Sequence, residues 1–158
     1  MMRAAILTIS DSCAAGSKTD ESGPAIERML VDNGIEVYDK RVVADEHDDI
    51  VKTLAQLADS ASVDLIFTTG GTGLGPRDVT PEATAAVCQK MVPGIAEMIR
   101  ACGLKKTRNA ALSRSVAGIR GGTLIINLPG SPKGAAQSLE AVIDVVPHAI
   151  EMLRGGGH

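Results

Sequence analysis

Aromatic residues are nearly missing from this chain, which has no tryptophan, one tyrosine and one phenylalanine. A platform for stacking bases needs several exposed rings, and a formal net charge of −3 leaves no basic footprint, so nucleic acid is excluded as the expected partner. A core for 158 residues must instead be built from Val, Ile, Leu, Met and Ala. Cysteine is scarce as well. Cys13, Cys88 and Cys102 form an odd, widely spaced set without a C-x-x-C pair, which supports neither a disulfide framework nor a zinc site and fits a reduced cytoplasm. Nowhere do about 18 apolar residues run together, and the apolar N-terminal stretch meets Asp11 too soon for a signal peptide. The expectation is a cytoplasmic protein without a membrane partner. A Ser-His-Asp or Cys-His set is also absent.

The most informative stretch is Val63 to Thr84, VDLIFTTGGTGLGPRDVTPEAT. Its apolar start reads as a buried strand of a parallel sheet. A loop with Gly70, Gly71, Gly73 and Gly75 follows, where the backbone can take positive φ and approach a ligand closely. Thr80 then reads as an N-cap, Pro81 as the first helical residue and Glu82 as an acid at the positive end of the dipole. A strand, a glycine loop and a helix in that order present backbone N–H groups to an anion, usually phosphate. Two familiar phosphate loops do not match. A Walker loop needs Gly-Lys-Ser/Thr, and here the glycines run into Pro76, Arg77 and Asp78, while G-x-G-x-G at 71–75 is not the dinucleotide fingerprint. A carboxylate such as Asp78 belongs in an anion-cradling loop when a cation joins it to the phosphate, and hard oxygen donors suit Mg²⁺.

Elsewhere, Ala4 to Ile9 read as a first strand with Ser10 and Asp11 at its end, where open parallel sheets collect ligands. An Asx-type turn explains the same two residues on local grounds. Residues 13–22 are small and polar; a helix over 24–33 stops at Gly34, and a second strand over 35–43 leads into ADEHDD at 44–49. Asp48 and Asp49 read as caps of the next helix, which leaves Asp45, directly off the strand, as the candidate for chemistry. Helices are expected over 81–90 and 93–102, with Met91, Ile95, Met98 and Ile99 facing neighbouring subunits. From Met98 through Ser138 there is no acid, while seven Lys and Arg occur, and this basic segment suits the neutralisation of a polyanion. Two strands about Gly121-Gly122 and a second strand-to-helix phosphate turn at LPGSP (128–132), with Ser131 as N-cap, precede helices over 133–145 and 147–153. The expected fold class is α/β, a mostly parallel central sheet with helices on both faces in a three-layer sandwich, with one domain over 1–154 and a disordered tail over 155–158.

TTGGTG (68–73), PRDVTPEAT (76–84), LSRSVAGIRG (112–121) and LIINLPGSP (124–132) together resemble the molybdopterin-binding MogA/MoaB family, whose eukaryotic relatives include the G domain of gephyrin. The resemblance covers nearly the whole chain. It implies a homotrimer, which pairs into a hexamer in one alternative, and in catalytic members an adenylylation of molybdopterin by ATP with Mg²⁺. It places Asp45 and Asp78 on the family's two essential, metal-binding aspartates. It also places Ser10, Asp11, Thr69, Gly70, Gly71, Thr72, Gly73, Glu82, Ser113, Arg114, Pro129, Gly130 and Ser131 on its substrate-binding loops. A non-catalytic molybdopterin carrier and a nucleotide pyrophosphatase are the alternative readings.

Overall fold

Strands that are apolar without alternation have to be covered on both faces, and the apolar runs of this chain are arranged accordingly. The computed structural model describes residues 1–156. In chain order these form β1 (Arg3–Ile9), a single turn α1 (Asp11–Ala14), α2 (Ser22–Asp32), β2 (Glu36–Val43), α3 (His47–Asp59), β3 (Leu65–Thr69), α4 (Thr80–Val87), β4 (Lys90–Met91), α5 (Pro93–Leu104), a 3₁₀ turn at Arg108–Leu112, β5 (Ala117–Arg120), β6 (Thr123–Leu128), α6 (Pro132–Glu140) and α7 (Val146–Leu153). One sheet takes the order β2-β1-β3-β6-β5-β4. The pairs β1·β2, β1·β3 and β3·β6 are parallel, and the β5 and β4 edge is antiparallel.

Period-two alternation sends successive strand residues to opposite faces. Ala4 and Ile6 of β1 join Ile26, Leu30, Leu139 and Ile150 in a core under α2, α5, α6 and α7. Ala5, Leu7 and Ile9 join Ile50, Leu54, Leu57 and Ala83 under α3 and α4. Two cores separated by one sheet make the three-layer α/β sandwich expected from the sequence.

Several local expectations shift. The helix expected over 81–90 ends at Val87, and Lys90 and Met91 instead pair with β5, Lys90 opposite Ile119 and Met91 opposite Gly118. A two-residue strand has no periodicity to detect. Ile95 and Ile99 are buried within the subunit, so of the four residues expected to face neighbours only Met91 and Met98 are exposed. Asp48 and Asp49 lie in the first turn of α3 rather than at its cap, which is Glu46 without a side-chain bond. The helix expected over 133–145 ends at Glu140. At the C-terminus, Gly155 and Gly156 close α7 by donating to the Met152 and Glu151 carbonyls. Gly157 and His158, the rest of the expected tail, lie outside the described residues.

One buried polar residue ties the layers together. Asn127, fully buried in β6, donates to Thr68 Oγ1 (3.0 Å) and Thr84 Oγ1 (2.9 Å), and its Oδ1 accepts from the Val116 N–H (3.2 Å). Asn127→Leu keeps the branched outline of the side chain and strands those groups, each costing about 1–3 kcal/mol when buried without a partner. The expected result is a loss of about 3 kcal/mol or more in urea unfolding, with an unchanged slope. An unchanged midpoint would show that water replaces the amide.

Candidate active site

Four loops leave the sheet at the carboxyl ends of β1, β2, β3 and β6, and parallel pairing brings them together. Ile9 is opposite Val43, Thr8 opposite Thr69, and Thr69 opposite Leu128. Between β1 and β3 the strand order reverses direction, the place where doubly wound sheets open a crevice. A cleft of about 420 Å³ lies here, walled by Ser10, Asp45, Gly70, Gly71, Asp78, Gly130 and Ser131.

The glycine turn is shaped by close approach. Gly70 has φ +104°, and a Cβ there would lie 2.1 Å from the Ile9 carbonyl oxygen; Gly71 has φ +68°, and a Cβ would lie 2.2 Å from Thr80 Oγ1. That hydroxyl explains why Thr80 is not the N-cap of α4. It donates to the Gly70 carbonyl at 2.9 Å, so Val79 takes the cap position and the helix register moves by one. Thr69 Oγ1 donates to the Pro129 carbonyl (2.7 Å) and the Gly70 N–H to Leu128 (3.1 Å), which joins the glycine loop to the LPGSP turn. Ser131 does cap α6, accepting from the Gly134 N–H at 3.1 Å. Ser10 caps α1 in the same way through the Cys13 N–H (3.2 Å).

Asp45, in the connection after β2, and Asp78, in the loop between β3 and α4, line this one cleft. Asp45 Oδ2 accepts from the Asp11 N–H (2.9 Å) and Asp78 Oδ2 from the Gly75 N–H (2.9 Å), leaving one oxygen of each carboxylate without a protein donor among the described residues. Burial pushes the Asp45 carboxyl above its ordinary pKa; the Asp11 N–H opposes this, and the charges of Asp11 and Asp78 add to the rise. Two carboxylates lining one cleft, one of them disfavoured as an anion, offer hard oxygens of the kind that suit a divalent cation completed by phosphate and water. Asp11 itself is turned to Arg77 and Glu82 to Arg114, and neither lines the cleft.

The basic segment does not serve this cleft. Arg114 holds the glycine loop from behind, with its N–H on the Thr72 carbonyl (2.9 Å), Nε on Gly73 (2.8 Å), Nη2 on the Asp78 carbonyl (2.7 Å) and Nη1 on Glu82. Arg100 donates to the Ser113 and Ser115 carbonyls, and Arg120 pairs with Asp59. Among the described residues, Lys18 is the one basic residue lining the cleft. It sits with Asp20 in the 15–21 connection, where Asp20 accepts from Thr8 Oγ1 (2.7 Å) and the Gly23 N–H (3.0 Å) at the start of α2. The small, polar composition of that stretch carried no sign of this role.

Thr72, Gly73, Ser113 and Pro129 fall on the other side of the same wall. They border a second cavity of about 360 Å³, whose mostly apolar surface also includes Ile99, Cys102 and Leu112, with Arg100, Lys106 and Gln137 among its polar members. Apart from Asp11, Glu82 and Arg114, which line neither, the candidate residues divide between an acidic cleft and an apolar pocket that share the 70–73 and 129–131 turns.

A sequence profile described as probable molybdopterin binding domain matches residues 5–148. The chain belongs to this family. It is 46% identical over 153 residues to the molybdopterin adenylyltransferase of Helicobacter pylori strain 26695, covering 95% of this chain and 86% of that one. Against the molybdopterin adenylyltransferase of Escherichia coli K12 it is 38% identical over 168 residues, covering 98% and 86%. Among solved structures, the molybdopterin biosynthesis enzyme MoaB of Thermus thermophilus superposes with a TM-score of 0.93 at 52% identity, covering 99% of both chains.

Two outcomes test this geometry. Gly70→Ala is expected to cost on the order of 3 kcal/mol or more in thermal unfolding, from a positive φ and a backbone clash. Gly121→Ala, also at positive φ but with nothing within 4 Å, should cost about 1 kcal/mol; equal losses would show that the approach to Ile9 is not tight. Asp45 gives a pH signature. Its pKa is raised in the fold, so the stability gained from the neutral acid is complete below the ordinary carboxylate range and is lost as pH rises through the raised value. Asp45→Asn in EDTA should therefore melt above the parent near pH 7, with the gap closing at about pH 4. Identical melting near neutrality would show the carboxylate to be fully compensated.

Proposed function

We propose that this chain is a molybdopterin adenylyltransferase of molybdenum cofactor biosynthesis, with ATP and molybdopterin as substrates. The observation that carries the reading is the convergence of Asp45 and Asp78 on one cleft with the Gly70-Gly71 turn and the N-terminus of α6. The reading is further supported by close relatives named for that activity.

In the proposed reaction an oxygen of molybdopterin's terminal phosphate forms a bond to the α-phosphorus of ATP. The bond from that phosphorus to the β-bridging oxygen breaks, and pyrophosphate leaves with the electron pair. The attacking phosphate is anionic near neutral pH, so no strong general base is required, and catalysis rests on alignment and charge neutralisation. Asp45 and Asp78 are the proposed catalytic residues and would hold Mg²⁺, which would supply positive charge against the phosphates. Backbone N–H groups of the 71–73 turn and of the α6 N-terminus would steady the anions. Lys18 adds a positive charge at the same cleft. The apolar pocket beyond the shared wall suits a flat heterocycle better than a polyphosphate. Under this reading the protein works in the reducing cytoplasm, where Cys13, Cys88 and Cys102 remain thiols, as a homotrimer or a pair of trimers. The exposed Met91 and Met98 offer an apolar surface for that assembly.

Incubation with Mg²⁺, ATP and molybdopterin should yield adenylyl-molybdopterin. Binding without product would favour a carrier, and cleavage of ADP-ribose a pyrophosphatase. Asp78→Asn keeps an acceptor for the Gly75 N–H, so molybdopterin affinity should hold while adenylylation falls on the order of a hundredfold or more. Asp48→Asn is the control. That side chain is fully exposed, and among the described residues its hydrogen-bond partner is the neighbouring His47, so it should cost a small fraction of this. Equal losses at the two positions would contradict the assignment.

A further inference from the structure

Beyond the last strand pairing, nothing in the sheet determines how far apart Asp45 and Asp78 stand. The Ser10 N–H still reaches the Val43 carbonyl (2.9 Å), and past that point three loops run free of the ladder. Arg77 spans them. Its Nε donates to Asp11 Oδ2 (3.1 Å), and its Nη2 to Asp11 Oδ1 (3.0 Å) and Glu46 Oε1 (2.7 Å). Asp11 in turn exchanges bonds with Asp45, its N–H to Asp45 Oδ2 (2.9 Å) and its Oδ1 accepting from the Asp45 N–H (3.0 Å). Glu46 follows Asp45 in sequence, and Arg77 precedes Asp78.

We propose that Arg77 and Asp11 are positioning residues that set the separation and aim of the Asp45 and Asp78 carboxylates, an inference that rests on the proposed nucleotidyl transfer at this cleft. A single exposed ion pair contributes little, but a two-pronged guanidinium on one carboxylate, joined to a second acid and to two backbone N–H bonds, fixes geometry. Both Asp11 oxygens face Arg77, which leaves this carboxylate turned away from the cleft. The competing role, in which Arg77 leaves its carboxylates and binds phosphate, makes the opposite forecast for Asp11: removing it would free Arg77 and strengthen ATP binding.

The test is a double-mutant cycle of Arg77→Ala, Asp11→Ala and the pair, with Arg77→Lys alongside. The readouts are kcat, KM for ATP, melting temperature, and Mn²⁺ affinity in the presence of ATP by electron paramagnetic resonance. Each single variant is expected to melt as a folded protein, to bind Mn²⁺ more weakly and to lose roughly 10–100-fold in kcat, as for partners that orient metal ligands, with KM for ATP little changed. The pair should lose no more than either single variant. Arg77→Lys, which keeps the charge without the fork, should not restore Mn²⁺ affinity. Additive losses, unchanged Mn²⁺ affinity, or a KM rise confined to the Arg77 variants would overturn the proposal while leaving the adenylyltransferase reading intact. A parent protein that forms no adenylyl-molybdopterin would overturn that reading instead, and the Mn²⁺ titration of the same proteins would still decide whether the network positions the carboxylates.

Discussion

Parallel pairing of β2, β1, β3 and β6 obliges four chain segments to leave the sheet at one edge, and the candidate site is a consequence of that constraint. Because these strands run between two layers of helices, their ends are held by core packing rather than by loop contacts alone. The loops can then be small and close. The glycine turn lies against the Ile9 carbonyl, the Thr69 hydroxyl reaches Pro129, and a Cβ on Gly130 would stand 3.3 Å from the Gly70 Cα. A bulkier arrangement would separate the strand ends and dissolve the cleft that the sheet assembles.

Charge is distributed across the shared wall in an unequal way. Four acids, Asp20, Glu21, Asp45 and Asp78, line the cleft with a single lysine, whereas Arg100, Arg114 and Arg120 of the 98–138 segment bind backbone carbonyls, Glu82 and Asp59. A guanidinium in that role stiffens the loops it joins and is not free to neutralise a phosphate. Under the proposed function the cleft therefore depends on backbone N–H groups, Lys18 and a bound cation. This is consistent with the upward shift of Asp45, whose anion finds too little compensation from the protein.

The sequence by itself determined the layers, most element positions and the two strand-to-helix turns, because those follow from short-range rules. Buried strands show as uninterrupted apolar runs such as 65–67 and 124–126, helices as stripes such as Ile50, Leu54 and Leu57, and Ser131-Pro132 is a local start signal that the structure keeps. What only the tertiary structure decided is which partner each polar side chain takes. Thr80 had the profile of an N-cap, but Gly70 folds back within reach of its hydroxyl and shifts the helix start by one residue. Arg114 had the profile of a substrate contact in a basic run, yet the Gly73 and Asp78 carbonyls, 41 and 36 residues away in sequence, occupy its donors. Asp11 and Arg77, 66 residues apart, become partners solely because β1 and β3 are neighbours in the sheet. A hydrogen bond or ion pair forms over about 3 Å and depends on direction, so its partner is undetermined until the strands are placed side by side.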